Sequence, residues 1–389
     1  MIQVLSALTA STYKHALKPL LFRLHPDTAH QHVLRMSRVR QKLRFSDPLV
    51  RKAWAHQDKA VLGQTIDGVF FPNPVGLSAG FDKNIELAPT MKTIGFGFMT
   101  GGSVTLHACA GNPKPWYYRL PQRKALVVHA GLANEGVERI CARIRSYKDK
   151  TFTQFPLVVS AAKTNNARNC DDTEAIADYV GSLDLLKDMP QVRVLELNIS
   201  CPNTYGGEPF TDPKRLDKLL SAIDARNITK PIWVKMPINH SWKAFDALLA
   251  VIVKHKVRGV TIGNLNKDRS GISTKELPPD VKGNLSGLPT QQLSDNLIAK
   301  TYKAYGNRLT IIGVGGIFTA EDAYRKIQLG ASLVELVSGM IFEGPQVIGQ
   351  INRDLVRRAQ KDGYTNISEA VGASHTRRSR TKPPKEKAA

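Results

Sequence analysis

Val194-Leu195-Glu196-Leu197-Asn198-Ile199-Ser200-Cys201-Pro202-Asn203-Thr204 is the stretch whose reading decides the fold. Its first four residues have the length and aliphatic content of a buried strand, and the proline and glycines that follow stop the strand and open a loop. Chemistry therefore sits at a strand's end. Asn198, Asn203 and Thr204 bring amide and hydroxyl groups that donate and accept, while Cys201 becomes a proton acceptor once ionised. Alone, such a turn is ordinary Asx-turn chemistry. Here it is one of several glycine, lysine and asparagine clusters that close apolar runs.

Working outward, the apolar runs Val75–Ser78, Gly95–Thr100, Leu157–Ala161, Val194–Asn198, Ile232–Met236, Gly259–Ile262, Thr310–Gly313 and Leu333–Val337 read as eight strands. Helical patterns over Thr173–Leu186, Asp212–Arg226, Trp242–His255 and Ala320–Leu329 separate many of them. Eight parallel units predict an α/β fold, a closed (β/α)8 TIM barrel, whose sites gather just beyond the strand ends. A doubly wound open sheet is the competing architecture; it places ligands at one switch point instead of after nearly every strand.

Two loops predict a phosphate site. Ile312-Gly313-Val314-Gly315-Gly316-Ile317 follows the seventh strand and Val337-Ser338-Gly339 the eighth, where glycines let a phosphate approach backbone N–H groups. Glycines also end strands for steric reasons alone. Lys235, in Trp233-Val234-Lys235-Met236, points into an apolar barrel where an unpaired ammonium is costly, so it calls for an anionic partner such as a reduced flavin. Lys83, in Ala79-Gly80-Phe81-Asp82-Lys83-Asn84, is a second inward candidate, with Asp82 as its expected partner.

The chain has 389 residues with 42% hydrophobic content, ample for a large core, and its four cysteines show neither Cys-x-x-Cys nor metal-ligand spacing. Cys109, Cys141 and Cys170 read as small buried hydrophobes, and no metal is expected. No apolar run is long enough to cross a bilayer. Net charge is +22, and residues 1–50 together with 376–389 hold half of that excess. Such basic ends suit an anionic lipid surface or nucleic acid or, for the tail equally, mere solubility. Residues 1–45 predict amphipathic helices, with Leu17, Leu20, Leu21 and Leu24 on one face, a kink or restart at Pro19, and a second helix opened by Pro26-Asp27. They form either a helical cap or a membrane-facing tunnel mouth for an apolar ligand. A connector over 46–70 ends in a hairpin at Ile66-Asp67-Gly68-Val69. The expected divisions are 1–45 (helical extension), 46–375 (barrel, with Ile367–His375 packed on it) and 376–389 (a basic, disordered tail).

Asn73–Asn84, Gly111-Asn112-Pro113-Lys114-Pro115, Tyr118-Arg119-Leu120-Pro121, Asn134-Glu135-Gly136-Val137, the Asn198–Thr204 stretch, Leu285-Ser286-Gly287 and Gly313–Ile317 together resemble dihydroorotate dehydrogenases. Leu20–His30 is similar to the helical extension of the membrane-associated, quinone-using class. The resemblance implies an FMN enzyme of pyrimidine synthesis that oxidises (S)-dihydroorotate to orotate. It would be a peripheral protein of an inner membrane, bacterial or mitochondrial, passing electrons to quinone, with no specific nucleic-acid partner. It implies Cys201 as the base for the C5 proton, with Lys235 and Thr204 beside it. It also implies Lys83, Asn198, Asn203 and Asn264 as substrate ligands. FMN would be held by Ala79, Gly80, Lys83, Ser103, Ser160, Asn198, Lys235, Gly263, Gly287, Gly315, Gly316, Val337 and Ser338. The chain departs from the family at several points. Cysteine replaces the membrane class's usual serine at 201, an exchange expected to lower the pH at which the oxidation saturates. Val128 and Leu265 stand where the family has an asparagine and a threonine or serine, and Ser160 and Gly263 where it has an asparagine and a threonine. Two alternatives follow: the same flavin chemistry on a less polar cyclic substrate, or a flavin-binding relative with weak turnover.

Overall fold

The structure, a computed structural model, describes residues 2–43 and 47–376. Strands β1 (Gln64–Ile66) and β2 (Val69–Phe71) form the expected hairpin. β3 (Val75–Leu77), β4 (Phe98–Val104), β7 (Leu157–Ala161), β8 (Val192–Asn198), β9 (Ile232–Met236), β10 (Gly259–Ile262), β12 (Thr310–Val314) and β13 (Leu333–Leu336) close into one parallel barrel in sequence order. This is the (β/α)8 architecture, and it excludes the open sheet. The barrel strands are buried along nearly their whole length, which is why they read as continuous apolar runs.

The hairpin plugs the N-terminal end of the barrel. Val69 and Phe71 pack with Phe98, Val158, Val194, Trp233, Ile312 and Leu333. The Asp67 carboxylate in its turn accepts from Trp233 Nε1 (2.9 Å) and Thr310 Oγ1 (3.1 Å). With that end sealed, ligands must enter at the opposite rim.

The outer helices start at side-chain caps legible in the sequence. Asp171 accepts from the N–H groups of Thr173 and Glu174, Asp212 precedes Pro213 and accepts from Lys214 and Arg215, and Thr319 forms a capping box with Asp322. Ile367 and Ala370 are buried in the main core, so the segment from Ile367 does pack on the barrel. Residues 377–389, most of the expected basic tail, lie outside the described residues.

A three-stranded antiparallel sheet, β5 (Tyr117–Leu120), β6 (Ala125–Val128) and β11 (Asn284–Gly287), stands over the open rim, ordered β11-β6-β5. The sequence reading has no counterpart for it. Its strands are four residues each, and Asn284 pairs with Val128 across more than 150 residues of chain.

At the N-terminus α1 (Ile2–Thr12) runs through a π-helical turn at Tyr13–Leu17 into α2 (Lys18–Arg23), so the helix restarts at Pro19 as expected; α3 (Pro26–Leu43) follows. The connector expected over 46–70 contains helix as well as the hairpin, with α4 at Asp47–Trp54 and a short turn at Lys59–Leu62. The leucine face is only partly covered: Leu17, Leu20 and Leu24 remain 48%, 58% and 40% exposed. Arg119 of β5 donates to the carbonyls of Leu21, Phe22 and Leu24, and Asp27 accepts from the Trp116 N–H, which fastens this roof to the sheet.

Candidate functional site

A single cavity of about 880 Å³ begins among the strand ends and continues beneath the N-terminal helices. Its inner wall carries Ala79, Gly80, Lys83, Ser103, Asn198, Cys201, Asn203, Lys235, Gly263, Asn264, Gly287, Gly315, Gly316, Val337 and Ser338. The parallel register delivers residues from every side of the barrel to one rim, so positions far apart in the chain converge there.

Two expected residues stand elsewhere. Ser160 is fully buried behind Ser103, and the two hydroxyls share a hydrogen bond of 3.0 Å. Thr204 donates to Gly207 O (2.8 Å) and sits 3.3 Å from Cys201 O, so it fastens the Cys201 loop and does not line the cavity.

The glycine loop fits a phosphate. Gly315 and Gly316 have φ of +111° and +67°, and a Cβ on Gly316 would collide with Gln291, so only glycine holds this backbone. Ser338 opens the helix Ser338–Glu343 across from it, its hydroxyl 3.2 Å from Ser286 Oγ. Backbone N–H groups and hydroxyls of this kind suit a phosphate group.

Lys235 is buried, its Nζ 3.5 Å from Ser78 Oγ, and Glu335 lines the same floor. Glu335, Ser78, Ser286 and Thr290 are missing from the sequence-based set. A lone glutamate inside Leu333-Val334-Glu335-Leu336 was the available signal. Lys83 does not pair with Asp82. It donates to Gly80 O (3.0 Å) and Tyr117 OH (2.5 Å), while Asp82 is turned away to accept the Glu86 and Leu87 N–H groups. Burial pushes the Asp82 carboxyl up to about 6, and burial with the Lys83 charge holds neighbouring His30 down at about 3.

The Asn198 amide donates to Ser103 Oγ (2.8 Å), Asn264 to Ser200 O (2.7 Å), and Asn203 to the Val128 carbonyl (3.0 Å). Lys163 donates to Tyr205 O (2.7 Å) and braces the Cys201 loop from behind. Burial pushes the Cys201 thiol up to about 11, against the smaller lowering effects of the Asn203 N–H, Lys235 and Lys163. The loss of water around the thiolate outweighs those neighbouring effects. Burial moves the thiol away from neutrality, but a serine hydroxyl in its place would lose the same hydration, so cysteine is still expected to work at a lower pH than serine. Cys109 and Cys141 are buried as expected, but Cys170 is exposed.

Residues 61–358 match the family described as dihydroorotate dehydrogenase. The chain is 34% identical over 372 residues to the dihydroorotate dehydrogenase (quinone) of Nostoc punctiforme, covering 92% of this chain and 97% of that protein. It is 35% identical over 363 residues to the protein of that name from Crocosphaera subtropica, covering 90% and 94%. Among solved structures, DHODH from Eimeria tenella in complex with ferulenol is similar with a TM-score of 0.76 at 25% identity, covering 90% of this chain and 96% of that one.

Proposed function

This chain belongs to the dihydroorotate dehydrogenase family, and from that premise we propose that it oxidises (S)-dihydroorotate to orotate in pyrimidine synthesis and passes the electrons to a quinone. The observation that carries this reading is the continuity of the cavity. Cys201, Lys235 and the asparagines occupy its inner end, and Tyr13, Leu21, Phe22, Val33 and Met36 of the N-terminal helices line its outer end. A polar ring and an apolar acceptor can thus share one space.

The cofactor is a flavin, specifically FMN, because the site combines a glycine phosphate loop with a buried lysine. When bound, the flavin supplies the hydride acceptor. Ala79, Gly80, Ser103, Gly263, Gly287, Gly315, Gly316, Val337 and Ser338 hold it, and Lys235 places a positive charge against it. Lys83 binds the substrate carboxylate, and Asn198, Asn203 and Asn264 bind the ring amides. Cys201 Sγ takes the C5 proton. Thr204 and Ser160 act one layer back, by holding the Cys201 loop and Ser103. The helical extension sits at a membrane surface as a peripheral contact, consistent with its exposed leucines. No described helix is long and apolar enough to cross a membrane.

Anaerobic addition of dihydroorotate to the purified yellow protein tests this. Bleaching, reversed by a water-soluble quinone, is the expected result; an unresponsive flavin spectrum overturns it. A second reading, a less polar cyclic substrate, draws on Val128 and Leu265, which both line the cavity where polar partners for the ring are expected. Each unpaired ring group would lose about 1–3 kcal/mol. Bleaching by a ring analogue lacking one amide, and not by dihydroorotate, is its signature.

A further inference from the structure

The barrel interior carries two carboxylates that neither substrate binding nor the phosphate loop uses. Thr100 of β4, Glu196 of β8, Thr261 of β10 and Glu335 of β13 come from alternate strands of the ring, and all four are fully buried. Alternate strands supply one layer of a barrel's interior. The hydrogen bonds agree: Thr100 Oγ1 donates to Glu335 Oε1 across β3, and Thr261 Oγ1 donates to Glu196 Oε2 (2.6 Å) across β9. Such bonds can only be made inside.

Each threonine covers one carboxylate oxygen. Glu196 Oε1 and Glu335 Oε2 remain buried without a hydrogen-bond partner among the described residues. Two ionised carboxylates in one dry layer repel, and keeping one proton on the pair relieves that repulsion. Burial and then the Glu196 charge push Glu335 well above the carboxylate range, with Lys235 and the Thr100 and Ser78 hydroxyls opposing. Glu196 from β8 and Lys235 from β9 are the titratable groups that face Glu335; β4 and β10 present threonines. Glu335, Lys235 and Gly315 line the same cavity.

We propose that Glu196 and Glu335 hold one shared proton at neutral pH, and that the singly negative pair balances the Lys235 ammonium beneath the flavin and so sets the flavin's reduction potential. The two glutamates are positioning residues for Lys235, and the effect on potential rests on the flavin reading above.

Infrared spectroscopy of the wild-type protein at neutral pH tests the shared proton directly. A carbonyl stretch of a protonated, buried carboxyl is expected, and it should vanish in both E196Q and E335Q, where the remaining carboxylate faces Lys235 alone. Absence of the band in the wild type, or its persistence in either variant, overturns the proposal. Potentiometry of the flavin-loaded protein tests the consequence. The single variants keep the net charge and should keep the potential. In E196Q/E335Q, Lys235 is unbalanced and the reduction equilibrium should shift at least tenfold toward the reduced form, about 30 mV for a two-electron couple. An unchanged potential in the double variant overturns the charge-balancing role. If one single variant fails to fold, the other decides, since a wild-type band alone could come from the buried Asp82. A protein that takes up no flavin sinks the flavin reading and leaves the infrared result standing.

Discussion

Cys201 shows how a residue's identity and its behaviour come apart. The sequence places a thiol after the fourth barrel strand, but its proton affinity belongs to the folded surroundings, which raise it from 9.0 to about 11. Since the base must be ionised, the rate of flavin bleaching by dihydroorotate is expected to climb by about tenfold per pH unit between pH 7 and 10. Stopped-flow measurement across that range checks it, and a plateau near neutrality would contradict it. Lys163→Met removes a charge that lowers the thiol, and should move the whole profile to higher pH. The linkage has a definite sign. A folded-state affinity raised above the unfolded value stabilises the fold below about pH 9, and this contribution is lost as pH rises through about 11. Melting curves of Cys201→Ser should therefore fall less steeply over that interval than those of the wild type.

At the scale of elements, the barrel strands were legible because burial on both faces leaves an uninterrupted apolar run, as in Ile232–Met236. The sheet over the rim was not. Tyr117–Leu120 and Asn284–Gly287 carry no alternation of their own, and they are strands only because Ala125–Val128 lies between them. The glycine loop was legible as residues, and its geometry explains them. Gly316→Ala must shift Gln291 or abandon a φ of +67°, so loss of flavin from the purified variant is expected, measured by absorbance per mole of protein. The roof helix α2 depends on Arg119, which reaches its Leu21 and Phe22 carbonyls and that of Leu24 just beyond its end. Arg119→Met leaves those acceptors to water and should destabilise the roof by about 1–3 kcal/mol. The expected signature is a slower quinone step with an unchanged rate of flavin reduction, since Arg119 does not touch Cys201 or the asparagines.

Over the whole molecule, the excess positive charge gathers at the chain ends, with half of +22 in residues 1–50 and 376–389. The exposed leucines of the helical extension lie within the first of these segments. Co-sedimentation with anionic vesicles is expected at low salt and should weaken as ionic strength rises, whereas binding that ignores salt would point to the leucines alone. Eight strands in order, the asparagine and cysteine loop and the glycine loop follow from the sequence by itself, because runs of apolar residues, caps and glycines act within a few positions of each other, whereas ring closure over an open sheet took the tertiary structure. Tertiary structure alone decided that Lys83 turns to Tyr117 and not to Asp82, that Thr204 and Ser160 stand back from the cavity, and that Glu196 and Glu335 share one layer inside the barrel. It also decided that Cys201 holds its proton so tightly. Hydration and distance between remote groups are set only when the ring closes, and no local pattern of residues encodes them.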